Sequence, residues 1–366
     1  MIAEALSALL ALLHSWAAVR SARGMASLPR PSGEARDGPL VSVIVPARNE
    51  EGRIGDCVRS ILSQRYREIE LIVVDDGSED RTAEEAEEAV GGDERASVVR
   101  APKRPPGWVG KSWPCWVGYL RSRGDLLLFA DADVRMDPGA VGSAVRLMGE
   151  LGADALSLIP RFRCSGLACG SVELALSSAV RLFGPYWRGG WLFGAFSLID
   201  RGAYEAVGGH RSVRWSLVED RELGRLLSEA GFRVVLARSG GLVETSWAEG
   251  WGEALEAIAR ISSADAPEPG RADAVSAAVA LASALPPALA LLSPAGLVAL
   301  AAELIHASLS LLWEVDAPLA SVPLAPLGGL VTALGIALGS RVRFGGRPVS
   351  WRGISLSPAR PGGRPG

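Results

Sequence analysis

At 366 residues the chain has room for two or three domain-sized units, and 48% hydrophobic with 22% charged residues excludes a disordered chain. A formal net charge of −3 gives no electrostatic footprint for nucleic acid, which is not expected as a partner. The four cysteines, Cys57, Cys115, Cys164 and Cys169, lack metal-finger spacing and read as reduced packing residues, and His14, His210 and His306 are too scattered for a metal triad or a nucleophile–base pair. Any catalysis must rest on carboxylates.

The chain opens on an apolar run, ALSALLALLHSWAAV (5–19), followed by Arg20, Arg23, Arg30 and Arg36. As a helix, residues 1–19 reach roughly 28 Å, enough to cross a bilayer core. A cleaved signal peptide is the rival, but its basic residues would precede the run, so an uncleaved anchor is preferred, with the following chain cytoplasmic. RPSGEARDGP (30–39) is a linker. VSVIVP (41–46) is strand-like, EEGRIGDCVRSILSQR has helical spacing, and IELIVVDD (69–76) is a second strand. A solvated acidic helix, EDRTAEEAEEAV, and two more strands, ASVVRA and GDLLLFAD, follow. This alternation predicts an α/β fold with a mostly parallel sheet covered by helices.

In such a sheet, ligands bind outside the carboxyl ends of the strands. Asp75-Asp76 and Asp131-Ala-Asp133 stand at two such ends. The alternative for either pair is a plain role in turns and helix caps, as DDGSEDRT invites. A divalent cation is the simplest device for holding two crowded carboxylates, because Mg²⁺ and Mn²⁺ take one or two carboxylates plus substrate phosphates. LVEDRELGRLL (217–227) suits a helix with Glu219 and Asp220 in its first turn. These are either ordinary helix-start acids or a base beside a metal–diphosphate site. Neither G-x-x-x-x-G-K-[ST] nor G-x-G-x-x-G after the first strand is present, which disfavours P-loop phosphoryl transfer and a dinucleotide cofactor.

After Arg271 come three apolar runs, 274–292, 295–313 and 318–338. Pro286-Pro287 is expected to break the first, and Pro323 and Pro326 to disturb the third. Glu303 and His306 mark a helix face turned toward protein or headgroups, or an intramembrane pair. Six arginines and no acid beyond Leu338 argue for a cytoplasmic tail. Four full spans would place that tail outside, so one C-terminal segment is expected not to cross fully.

SVIVPARNEE (42–51), VVDDGSEDRT (73–82), DAD (131–133) and GGHRSVRWSLVEDRELGRLL (208–227), in this order, resemble the family 2 glycosyltransferases with the GT-A fold, over about residues 40–262. RPPGWVGKSW (104–113) and the apolar runs followed by WRG (351–353) are similar to the membrane-bound branch with hopanoid-associated and carotenoid glycosyltransferases. The tail departs from that branch, with Ile354 and Leu356 where Arg and Tyr would stand. The resemblance implies a GT-A domain at 40–262, after an anchor helix (1–22) and a linker (23–39). A membrane region of two or three apolar helices (263–340) and a basic tail (341–366) would follow.

It further implies that Pro46, Arg48 and Glu50 line the nucleotide pocket and Asp76 contacts the base. Asp131 would face the ribose or metal and Asp133 would ligate Mn²⁺ or Mg²⁺. Asp220 would be the general base, with Glu219 in support and Lys111 near the donor diphosphate. The implied partners are a nucleotide-diphosphate sugar and a lipid or other hydrophobic acceptor at the cell membrane. Entry is expected along the aromatic segment 156–196, with Leu182, Phe183, Tyr186, Trp187, Trp191, Phe193 and Phe196; Trp247 and Trp251 are possible interfacial anchors. A processive polysaccharide synthase is the nearest alternative, but EAIARIS holds Arg260 without the Q-x-x-R-W pattern. A non-catalytic membrane scaffold and nucleotidyl transfer are further alternatives.

Overall fold

The computed structural model describes residues 1–183, 190–246, 248–265, 269–345, 349–351 and 354–356. Tyr186, Trp187, Trp247 and most of the basic tail lie outside them. In chain order, α1 (Ile2–Ser27) leads to β1 (Val41–Ala47), α2 (Ile54–Leu62), β2 (Ile69–Asp75), α3 (Thr82–Val90) and β3 (Ala96–Arg100). Next come α4 (Ser112–Tyr119), β4 (Leu126–Phe129), β5 (Arg135–Met136), α5 (Ala140–Leu151), β6 (Ala155–Ile159) and β7 (Arg161–Arg163). The chain continues through α6 (Leu167–Phe183), β8 (Ser197–Asp200), α7 (Arg201–Ala206), α8 (Gly209–Ser212), α9 (Glu219–Glu229), β9 (Val234–Arg238) and β10 (Val243–Thr245). It ends in α10 (Trp251–Asp265), α11 (Pro269–Ala290), α12 (Pro294–Ser308), β11 (Val315–Asp316), α13 (Ala325–Gly345) and a short pair of strands.

Seven strands form the main sheet in the order β3-β2-β1-β4-β8-β6-β9. Every residue of β1, β2, β4 and β6 is buried, as continuous apolar runs in a sheet covered on both faces require. β1 lies parallel to β2 and β4, with Ala47 opposite Asp75 and Ile44 opposite Phe129. Chain order reverses at β1, so the crevice outside its carboxyl end is flanked by both acidic pairs. β8 runs antiparallel to β4 and β6, which makes the sheet mixed. A second sheet, β11-β7-β10-β5, is built from two- and three-residue strands drawn from distant parts of the chain.

Among the described residues, four apolar segments are long enough to cross a membrane: Ile2–Ser27, Gly270–Ala290, Pro294–Leu312 and Leu319–Val342. α1 packs on α12, and α10 and α11 pack on α13. Contrary to expectation, Pro286 and Pro287 do not break α11, which runs on to Ala290. Pro286 has no N–H for the carbonyl of Ala282, and His14 Nε2 of α1 lies 3.1 Å from that oxygen and replaces the missing donor. Pro323 lies in a 3₁₀ turn, Leu319–Leu324, and Pro326 in the first turn of α13, where its ring is tolerated. Glu303 and His306 are buried on the protein-facing side of α12, with the His306 ring 5.9 Å from that of His14.

Two further features bind the helical layer to the sheets. Arg181 of α6, fully buried, forms an ion pair with Glu314 and donates to Ser310 Oγ at 2.8 Å. Glu314 directly precedes β11, which pairs parallel with β7. Cys164 and Cys169 correct the expectation of reduced thiols: with Cα atoms 5.4 Å apart they are joined by a disulfide across the turn into α6. Cys57 and Cys115 are free and buried.

Candidate active site

Three strand ends, one helix start and one loop supply the site. Pro46, Arg48 and Glu50 leave β1, Asp76 leaves β2, Asp131 and Asp133 leave β4, Lys111 precedes α4, and Glu219 and Asp220 open α9. All nine line one cavity of about 980 Å³. They are separated by up to 174 positions in the chain, and the parallel register brings their elements to one edge.

At the β1 and β2 ends, two loops are cross-linked. Asn49, in the left-handed region at φ 51°, donates its N–H to Ser78 Oγ at 3.0 Å and accepts from Glu79 N at 2.9 Å. Asp75 is used in the turn, its Oδ1 accepting from Ser78 N at 3.0 Å. Asp76 instead lines the cavity. Arg48 Nη1 donates to the Asp76 carbonyl at 2.6 Å, and Arg104 pairs with the Asp76 carboxylate. Burial raises the Asp76 pKa, against the opposing pull of Arg104.

After β4, Asp131 and Asp133 stand on either side of buried Ala132. Asp131 Oδ1 accepts from Lys111 Nζ at 2.7 Å, and Thr245 Oγ1 at the end of β10 donates to Asp133 Oδ1 at 3.1 Å. Lys111 also lies 3.1 Å from Glu219 Oε1. Burial disfavours its ammonium, but the carboxylates of Asp131 and Asp220 outweigh that and raise its pKa. His210, behind Lys111, is pushed down to about 3 by burial and by the lysine charge, so it stays neutral. Its Nδ1 meets the Tyr204 hydroxyl at 2.9 Å.

Asp220 is oriented by backbone. Its Oδ2 accepts from Gly194 N at 2.6 Å and its Oδ1 from Arg221 N at 2.8 Å. Gly194 comes within reach of the whole cluster: a Cβ there would sit 2.3 Å from Lys111 Nζ, 3.1 Å from Asp131 Oδ2 and 3.2 Å from Asp220 Oδ2. Gly194→Ala is therefore expected to displace the lysine and lower turnover by about 10²-fold, with the unfolding midpoint changed little because the added methyl meets a flexible chain end. A wild-type rate in that variant would show that the cluster is not the reacting centre.

Sequence reasoning missed Gly194, Arg104, Thr245 and Arg221. Gly194 sits in LFGAF and Arg104 in KRPPGW, beside residues that were singled out, but neither stretch shows what it faces. Of the aromatic segment, Phe183, Trp191 and Phe193 line the cavity, while Phe196 is fully buried core. Trp251 is exposed at the start of α10.

A carboxylate aimed by two N–H groups, a paired ammonium and two further carboxylates can accept a proton, hold a diphosphate and share a cation. Among the described residues no group of three or more His, Cys, Asp or Glu forms a complete metal cage. Asp131 and Asp133 fit a hard cation that takes two protein carboxylates and fills its shell with phosphate and water.

A 4,4'-diaponeurosporenoate glycosyltransferase of Staphylococcus haemolyticus is 43% identical over 99 residues, 26% of this chain and 25% of that protein. Its counterpart from Staphylococcus aureus is 33% identical over 195 residues, half of each chain. The chain thus spans at most about half the length of these curated relatives. A mannosyltransferase from Pyrobaculum calidifontis, solved with GDP-Man and Mn²⁺, superposes with a TM-score of 0.55 at 18% identity, covering 90% of this chain and 97% of that one. The fold is therefore GT-A. Residues 42–208 match the Glycosyl transferase family 2 description and form a glycosyltransferase domain of that family.

Proposed function

We propose that the protein is an inverting glycosyltransferase that moves a sugar from a nucleotide-diphosphate donor to a lipid or other hydrophobic acceptor at the membrane. The observation carrying this reading is the single cavity shared by Asp76, Asp131, Asp133, Lys111 and Asp220, which extends onto apolar side chains of the helical layer. The staphylococcal relatives bear names specifying glycosyl transfer to an acid; here the acceptor chemistry is taken from this chain's own residues. Residues 40–262 are the catalytic unit, and 1–22 and 263–340 are read as membrane segments with the catalytic unit cytoplasmic.

Pro46, Arg48 and Glu50 line the nucleotide side, and Asp76 contacts the base. Lys111 remains an ammonium and faces the diphosphate as a point charge. Glu219 holds it there. Asp131 and Asp133 would hold Mn²⁺ or Mg²⁺, which when bound supplies Lewis-acid stabilisation of the departing diphosphate. Asp220 takes the acceptor proton as the acceptor oxygen bonds to the anomeric carbon from the face opposite the diphosphate, which inverts that carbon. A panel of UDP- and GDP-sugars with Mn²⁺ is the test. At least one should raise the unfolding midpoint of the full chain and be consumed when membrane lipid extract is added. No shift and no consumption across the panel would overturn the reading.

A further inference from the structure

A second cavity, of about 10 Å³ and so with room for one water molecule, lies beside the carboxylate cluster. Lys111, Glu219 and Asp220 line both cavities, whereas Cys115, Phe129 and His210 line only the small one. His210 has no task in the glycosyl-transfer reading, although it is 3% exposed and lies behind the lysine. Phe129 confines its ring, with centroids 4.5 Å apart, and also packs on Tyr204 at 5.4 Å.

The Tyr204 hydroxyl fixes where the imidazole proton is. Its oxygen accepts the backbone N–H of His210 at 3.0 Å, and His210 Nδ1 stands 2.9 Å away. Tyr204 is fully buried, so the phenolic proton needs an acceptor inside the protein, and Nδ1 is within reach. The neutral ring therefore carries its own proton on Nε2. Among the described residues no acceptor meets that N–H.

Glu219 has the complementary need. It is 3% exposed, and its Oε1, although 3.1 Å from Lys111 Nζ, has no aligned hydrogen-bond donor among the described residues. One water in the small cavity answers both groups, accepting from His210 Nε2–H and donating to Glu219 Oε1. Its second lone pair is open to the Lys111 ammonium, which has three N–H groups to place.

We propose that the small cavity is a water site, and that Tyr204 and His210 are positioning residues that use this water to hold Glu219 and Lys111 behind the donor diphosphate. The diphosphate part rests on the glycosyl-transfer reading; the water site and the imidazole tautomer do not. The arrangement anchors the lysine independently of Asp131, its partner at 2.7 Å and the carboxylate that a divalent cation would share.

The chain has three histidines, so the full chain in detergent, labelled with ¹⁵N-histidine, gives a tractable imidazole spectrum. His210, assigned by its loss in His210→Gln, should show a protonated Nε2 and a bare Nδ1. A proton on Nδ1 would overturn the proposal. With the sugar nucleotide that gives the largest thermal shift, His210→Phe should raise the donor KM by about tenfold and change kcat less, the loss of roughly one hydrogen bond at a charged group. His210→Gln, which keeps an N–H near the place of Nε2, should recover most of that loss. In a Lys111→Met background, His210→Phe should have no further effect on donor KM. The same tenfold rise in that background, or no recovery with Gln, would reduce His210 to core packing. Cys115→Met, which fills the small cavity, should also raise the donor KM, and a wild-type value there would remove the water from the arrangement. Should His210→Phe fail to fold, Tyr204→Phe decides with the spectrum: a mixture of tautomers and a raised donor KM are expected, and no change in either would overturn the tyrosine's role. A wild type with Nε2 protonated but no thermal shift or transfer with any sugar nucleotide would sink the glycosyl-transfer reading and leave the tautomer standing.

Discussion

Asp220→Asn is expected to lower sugar transfer by about 10²–10⁴-fold, the range for loss of a positioned base, while donor binding survives. The substitution keeps the side chain's shape but removes its affinity for a proton. It also has a structural cost. Both carboxylate oxygens accept backbone N–H groups, from Gly194 and from Arg221, and an asparagine has one carbonyl oxygen for the two. One N–H would then face an amide donor, costing about 1–3 kcal/mol if it stays buried. The unfolding midpoint should therefore be measured beside the rate. A modest drop in stability with an intact donor-induced shift is the expected pattern. A lost donor shift would move Asp220 from the acceptor side of the cavity to the donor side.

The second large effect is on the divalent cation. Chelation should abolish transfer, and Mn²⁺ or Mg²⁺ should restore it. Two carboxylates are a sparse set, and both already have partners: Lys111 at 2.7 Å for Asp131 and Thr245 at 3.1 Å for Asp133. Affinity for the cation alone should accordingly be weak, and the nucleotide diphosphate should strengthen it by contributing phosphate oxygens. Calorimetric titration of Mn²⁺ with and without nucleotide would show this, and Asp133→Asn should raise the cation concentration needed for half-maximal rate. Undiminished activity in excess chelator would leave Lys111 as the cation that serves the diphosphate.

The parts of the fold written in local patterns were legible. β1, β2 and β4 are mainly apolar runs, the last two ending in acids, and α9 carries Leu223 and Leu227 on its buried face behind Glu219 and Asp220. What escaped depends on contacts between distant segments. β5, β7, β10 and β11 are two or three residues long and have no period of their own; they exist because other chain segments complete their ladders. The continuity of α11 through two prolines is likewise accompanied by a histidine 268 positions away. Gly194 shows the same thing within the site. Nothing in its neighbours marks it, yet three charged side chains, Lys111, Asp131 and Asp220, crowd the place where its Cβ would be.

The Arg181–Glu314 pair bears on how the enzyme can be taken apart. A soluble fragment ending at residue 262 looks attractive, because the glycosyltransferase motifs all precede that point. Such a fragment would discard Ser310 and Glu314, which Arg181 meets in the full chain, along with the strand that borders β7 and the helices that pack on α6. In the full chain, Glu314→Gln would take away that carboxylate while Arg181 stays buried, at a cost of about 3–5 kcal/mol, a large share of a domain's stability. The fragment should aggregate on expression because the cut bares the faces of α6 and α10 that α13 covers, and Glu314→Gln should lower the unfolding midpoint of the full chain. Catalytic half and helical half are welded at a charge, so solubilising one without the other calls for editing the weld first.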